Sequence, residues 1–172
     1  MFDTALLKKT GLTVGIVYAA AYAAARANFD MRHFTAGEFG LWLPLLNPKL
    51  LDKLDQFRDY LNAPVIISPA IGAIGRLTPL RPGQGKTEHR PAPLVDAIDV
   101  MLPETTLAEG VTAARTIGFT GFGVYPAWKP YHGMHLDVRS DRDREHPATW
   151  AGIPNSDGKQ IYVALEQGLK YA

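Results

Sequence analysis

The chain has 172 residues, enough for one domain with a substantial core and too few for two ordinary ones. A hydrophobic fraction of 47%, a charged fraction of 20% and a net charge of +1 exclude a disordered chain and leave no electrostatic footprint of a nucleic-acid binder. Cysteine is absent, so disulfides and thiolate metal sites are excluded and any metal must be held by histidines and carboxylates.

The first feature along the chain is an uncharged run of 16 residues, TGLTVGIVYAAAYAAA, between Lys9 and Arg26. A positive start, an apolar centre and small residues after it make the pattern of a secretory signal. The run falls short of the about 20 residues that cross a bilayer, so a membrane partner is not expected. The favoured expectation is an Ala-rich helix packed on its own domain or on a partner, with signal and anchor as the alternatives. Residues 1–30 are thus expected to form a helical extension, residues 31–172 the domain proper, and residues 1–28 an assembly contact with a second copy or another subunit.

Thr35 and Glu38 make a capping-box pair behind Phe34, which predicts a short helix. Leu50, Leu51, Leu54, Phe57, Tyr60 and Leu61 follow helical spacing opposite Asp52, Lys53, Asp55 and Arg58, which predicts an amphipathic helix over 48–62. Asn62-Ala-Pro64 ends it, and Val65–Ile67 reads as a short buried strand. Residues 72–93, rich in Gly and Pro, read as a long irregular loop. Strands are expected over 94–101, 121–125 and 134–138, with a helix over 106–117 closed by Gly118. The stretch SDRDREHPATW reads as a charged loop, and residues 160–170 as a last amphipathic segment. Helices first, then strands with one intervening helix, predict an α+β domain with a small, mostly antiparallel sheet.

The chemistry concentrates in two of these strands. In Met134–Val138, His135 and Asp137 share one face while Met134, Leu136 and Val138 share the other. The apolar face must meet the core, so the His/Asp face opens to a groove. In the strand before it, Asp99 shares its face with the small Ala97. A carboxylate inside an apolar strand must be paired or bound to a metal. His89, at the end of the loop before that strand, completes a candidate metal triad with Asp99 and His135. Three protein ligands and one open position are the layout of a catalytic zinc site. His132 or Asp137 is then the available general base. No HExxH motif is present, and Ser68 has no nucleophile-elbow context.

The ordered series HFTAGEF, LLDKLDQFRDYL, APVIISPAIGAIGR, TEH, AIDVM, GFTGFGVYP, MHLDVR and Trp150 resembles zinc peptidases of the D-alanyl-D-alanine metallocarboxypeptidase group, which includes phage L-alanyl-D-glutamate endolysins. The resemblance spans about residues 33–150. It implies the small fold shared with lysostaphin-type peptidases and the hedgehog signalling domain. It also implies zinc on His89, Asp99 and His135, and Arg76 as the holder of a substrate carboxylate. In many relatives the first His and the Asp are seven apart; here His89 is seven from Asp96 and ten from Asp99. Asp99 is preferred because AIDV matches the strand motif. Thr87 stands where relatives carry Ser. His132 stands where many carry a carboxylate base, which bears on catalysis more than on metal binding.

The implied function is hydrolysis of a D-amino-acid amide in a peptidoglycan stem peptide, with a metal-activated water as nucleophile, in a phage particle or lysate or outside the cytoplasmic membrane. The alternatives are a structural phage virion component that keeps the peptidase fold and a wall-binding module without activity. No nucleic-acid partner is expected, because basic residues do not interleave with aromatics on any one element.

Overall fold

The computed structural model describes residues 17–76, 88–91 and 93–171. The expectations for residues 1–16, for most of the loop over 77–93 and for Thr87 lie outside the described residues. Within them the chain is α+β: five helices and one six-stranded, mostly antiparallel sheet.

Helix α1 covers residues 17–27. Tyr22, Ala25 and the following Phe29 pack against the core, and the Phe29 and Phe39 rings lie 5.7 Å apart. The Tyr18 hydroxyl donates to the Leu41 carbonyl. Ala19, Ala20, Ala23, Ala24 and Ala27 face solvent. Helix α2 (Ala36–Phe39) begins with the expected Thr35–Glu38 capping box and runs into a 3-10 turn, Gly40–Leu45, that the sequence reading did not contain.

Helix α3 (Pro48–Leu61) is built as its sequence dictates. Asn47 caps it by accepting from the Lys49 amide at 2.9 Å, Pro48 opens it, and Asn62 ends it in the left-handed conformation. Leu50, Leu54 and Phe57 are fully buried. Helix α4 (Leu107–Ile117) has a Thr106–Glu109 capping box and a left-handed Gly118 at its end.

The strands are β1 (Ile66–Ile67), β2 (Ala97–Met101), β3 (Gly121–Tyr125), β4 (Gly133–Asp137), β5 (Ala148–Pro154) and β6 (Gln160–Val163), ordered β1-β2-β4-β3-β5-β6. Only β3 and β5 run parallel. Three expectations are corrected here. The end of the charged loop is strand β5, and the segment over 160–170 divides into β6 and helix α5 (Leu165–Tyr171). The expected strand over 94–101 is shortened to Ala97–Met101, because Val95 pairs instead with Leu46 in an isolated bridge.

The two faces of the sheet have different jobs. Ile98, Val100, Phe122, Val124, Met134 and Leu136 point at the helices and are fully buried. Gly110 of α4 lies over Met134, and Gly168 of α5 lies against Ala151; a Cβ at either would collide with the side chain beneath it. The other face follows from the register in rows across the sheet. One row holds Asp99, His135, Gly123 and Trp150, and the next holds Met101, Gly133, Tyr125, Gly152 and Tyr162. The glycines leave space that neighbouring aromatic rings fill. Trp150 lies over Gly123, Trp128 over Gly133 and Tyr125 over Gly152.

This packing generates a stability prediction. Gly123→Ala forces the Trp150 indole off its seat, an overpacking that costs about 1–3 kcal/mol. Urea denaturation followed by tryptophan fluorescence measures it, and a midpoint equal to wild type would remove Trp150 from that position.

Candidate metal centre

Antiparallel pairing sets Asp99 of β2 directly opposite His135 of β4. Their side chains share a face because residues directly opposite one another in a ladder point to the same side of the sheet. The third residue arrives from the loop. The Arg76 amide donates to the His89 carbonyl at 2.9 Å, and the Asp96 amide donates to the Glu88 carbonyl at 3.0 Å. These bonds hold residues 88–89 over β2. The loop is further tied to the same strand by Ser68 N–H to the Asp99 carbonyl at 2.9 Å and Asp99 N–H to the Ala73 carbonyl at 2.8 Å.

The result is a buried His89–Asp99–His135 triad close enough to bind a metal ion. His89 Nε2 lies 3.0 Å from His135 Nδ1 and 3.2 Å from Asp99 Oδ1, and His135 Nδ1 lies 3.0 Å from Asp99 Oδ1. Ligands about 2.0–2.1 Å from a tetrahedral ion are about 3.3 Å from one another, so the triangle is slightly tighter than a filled site.

Proton accounting shows why this triangle suits a cation. Asp137 is fully buried and meets His135 Nε2 at 2.9 Å. An ionised carboxylate only accepts, so Nε2 carries the hydrogen and the neutral ring presents the Nδ1 lone pair to the triangle. His89 Nε2 and Asp99 Oδ1 present further lone pairs to the same point. Either a proton or a metal must sit among them. Without metal, a proton does: burial pulls His135 down, but hydrogen bonds to Asp137 and Asp99 outweigh it and raise its pKa above the ordinary imidazole value. Burial would raise Asp99, yet the two histidines hold its carboxyl below the usual range. Burial lowers His89 and keeps it neutral, as a ligand must be.

The triad opens into a cavity of about 630 Å³. Arg76 stands on one side, its guanidinium 4.0 Å from Asp99 Oδ2 and fixed by Nε donation to the Gly72 carbonyl at 3.0 Å. Tyr125, Trp128, Trp150 and Tyr162 form an aromatic wall. Tyr125 and Trp128 stack at 4.1 Å, and the Trp150 ring lies 5.0 Å from His135. A second cavity of about 890 Å³, lined by Trp42, β1 and the loop over 68–76, shares Ala70, Ile71 and Arg76 with the first.

The structure therefore brings His89, Asp99, His135 and Arg76 together. Two other expectations change. His132 is not at the cluster. It lies just before β4, and its Nε2 meets the Thr105 carbonyl at 2.7 Å. Asp137 is not placed to take a proton from the cavity. Both its oxygens are held, by His135 and by the Arg139 guanidinium, whose Nε reaches them at 2.9 and 3.0 Å. Its position is that of an orienting carboxylate behind a metal-bound histidine. Asp96, the other aspartate considered, accepts from Asn47 Nδ2 at 2.7 Å, outside the triad.

Arg139, Trp150, Gln160 and Tyr162 were missed as site residues. For Arg139 the signal was present, because its place two residues after Asp137 continues the same alternation. Gln160 and Tyr162 sit on a strand that the sequence reading did not recognise.

No protein-family model matches the chain, and comparison with characterised proteins and with solved structures gives no significant match. Among the described residues no helix is long and apolar enough to cross a membrane.

Substitutions separate the ligands from their neighbours. Asp99→Asn and His135→Ala are expected to abolish stoichiometric zinc binding, Asp137→Asn to weaken it about 10–100-fold, and Asp96→Asn to leave it intact. Calorimetric zinc titration reads all four, and loss of zinc in Asp96→Asn with retention in Asp99→Asn would reverse the assignment.

The pH dependence has a definite sign. In the metal-free protein the His135 proton stabilises the fold fully below the ordinary imidazole pKa of about 6.5, and that contribution disappears as pH rises through the raised folded value. Zinc must displace this proton, so the gain in Tm on adding zinc is expected to grow as pH rises from about 6 to 8. A gain independent of pH would mean that zinc stabilises the protein elsewhere.

Proposed function

We propose that the chain is a zinc-dependent peptidase that hydrolyses amide bonds involving D-amino acids in peptidoglycan stem peptides. The observation that carries this reading is the convergence of three neutral or anionic donor atoms at the floor of an open cavity, with a fixed arginine beside them. Two imidazoles and one carboxylate are a donor set that suits zinc, and three protein ligands leave a position for substrate or water. The resemblance in the strand motifs AIDVM and MHLDVR supports the same assignment and the peptidase-like fold.

Zinc bound there supplies Lewis acidity and an acidified water. The chain's own residues do the rest. His89, Asp99 and His135 hold the ion, and Asp137 with Arg139 fixes the His135 ring in the tautomer that coordinates. Arg76 binds a substrate carboxylate next to the cluster. Its guanidinium is more than a third exposed, which leaves donors for a ligand. The aromatic residues Tyr125, Trp128, Trp150 and Tyr162 line the opposite side.

Digestion of purified muropeptides, with products identified by mass spectrometry, tests the proposal. Zinc-loaded wild type should release a defined fragment, chelator should stop it, and Arg76→Ala should raise KM by about tenfold or more with a smaller effect on kcat. Zinc-loaded protein that leaves every muropeptide intact would reject the peptidase.

One observation favours a second reading, a virion component that keeps this fold for assembly. The outer face of α1 is almost entirely alanine, with Arg26 among its exposed residues. Ala20→Glu with Ala24→Glu leaves the packed face of α1 untouched. Loss of an assembled state in that variant, seen by light scattering, would support the structural role; an unchanged monomer would dismiss it.

A further inference from the structure

The cavity of the metal-ligand cluster does not end at Arg76. It meets the second cavity across Ala70, Ile71 and Arg76, so the two form one cleft with Arg76 at the junction. A carboxylate held by Arg76 has room on both sides and is not forced to be the end of a ligand. Among the described residues, the charged side chains that line the second cavity are Arg76 and Glu38. Trp42, Ile66, Ile67 and Ile74 make its walls largely apolar.

One wall of the second cavity is a strand with an unused edge. β1 is the end strand of the sheet and pairs with β2 alone. Ser68 N–H donates to the Asp99 carbonyl at 2.9 Å, and the bonded positions of an antiparallel pair recur at every second residue. Ile66, opposite Met101, is therefore the next bonded position. Ile67, opposite Val100, turns its N–H and C=O away from β2. Among the described residues neither group has a backbone partner. A donor and an acceptor on a free strand edge, beside an apolar cavity, are what an extended peptide pairs with when it adds to a sheet.

We propose that the second cavity is a peptide subsite, in which an extended segment of substrate adds to the free edge of β1 at Ile67 and continues past Arg76 to the metal-ligand cluster. The choice of occupant rests on the peptidase reading; the joined cleft and the free edge stand without it. Arg76 then holds a carboxylate that branches from inside the chain. The γ-linked glutamate of a stem peptide carries such a carboxylate. The diamino acid after it brings a cation to a cavity whose other charge is Glu38. The bond presented to the cluster is accordingly an internal one, and the protein is an endopeptidase. The substrate of a carboxypeptidase would stop at the arginine and leave the second cavity empty.

The three tryptophans divide between the two parts of the cleft. Trp42 lines the second cavity, and Trp128 and Trp150 line the first. Their indole N–H signals in NMR report each part separately. The probe is a peptidoglycan stem tetrapeptide added to the metal-free protein, because neither Arg76 nor the β1 edge needs the metal. It should shift the Trp42 and Trp150 signals together and move the Ile67 amide. Ile67→Pro deletes the edge N–H at a position where an edge strand tolerates proline. This variant should bind the tetrapeptide about tenfold more weakly with zinc content unchanged. The wild-type signals decide independently of how that variant folds. A tetrapeptide that moves Trp150 but not Trp42, equal affinity of folded Ile67→Pro and wild type, or no binding by wild type would overturn the proposal. Cleavage by the zinc-loaded protein is scored separately by product mass. Shifts at Trp42 without any cleavage remove the peptidase and leave the subsite. Release of the C-terminal residue alone, with Trp42 unmoved, leaves the peptidase and removes the subsite.

Discussion

The carboxylate of Asp137 decides which nitrogen of His135 faces the cavity. It is fully buried, and it accepts from Nε2 at 2.9 Å. Because it can only accept, it commits the imidazole to a tautomer whose Nδ1 lone pair points at Asp99 and His89. The Arg139 fork holds Asp137 ionised against the pull of burial. Remove that pair and the ring is free to take its proton on either nitrogen. The three lone pairs then no longer define a single point for a cation. A buried ion pair of this kind adds little to stability by itself; its worth lies in the orientation it enforces.

The sheet makes room for this arrangement by omitting side chains. Gly121 pairs with Asp137 and Gly123 with His135. A Cβ at Gly121 would strike the Asp137 carboxylate and a Cβ at Gly123 the Trp150 indole. The alternate residues of the same strand, Phe122 and Val124, are large and fully buried against the helices. A strand that reads Gly-Phe-Gly-Val-Tyr therefore packs tightly on one face and yields space on the other. The same device at Gly133 and Gly152 seats Trp128 and Tyr125. The metal-ligand cluster and the aromatic wall are thus two uses of one pattern.

Much of the core was legible because it depends on local periodicity. The caps of α3 and α4 and the alternation in Met134–Val138 are readable over a few residues. That alternation already joins His135 to Asp137, whereas His132 lies before the strand and is placed by its contact with the Thr105 carbonyl, which no local pattern announces. The opposition of Asp99 and His135 was not legible, because register between strands far apart in sequence is set by packing and not by any local signal. Strands β5 and β6 were hidden for a different reason. The Gly and Pro inside Ala148–Pro154 argue against a strand, and residues 160–170 carry apolar residues at a spacing that also fits a helix. With those strands went Trp150 as part of a wall, and Gln160 and Tyr162 altogether.

The loop over 68–76 connects this centre to the rest of the surface. Its backbone is bonded to Asp99 and to His89, so the residues that shape the cavity and two of the three candidate ligands are tied together. X-ray absorption at the zinc edge of the loaded protein tests the central claim most directly. The account predicts one zinc per chain with two imidazole nitrogens and one carboxylate oxygen at about 2.0–2.2 Å, and a fourth light-atom ligand from solvent. A shell of oxygens alone, or a single imidazole, would place the ion elsewhere and contradict the convergence of His89, Asp99 and His135 on one metal.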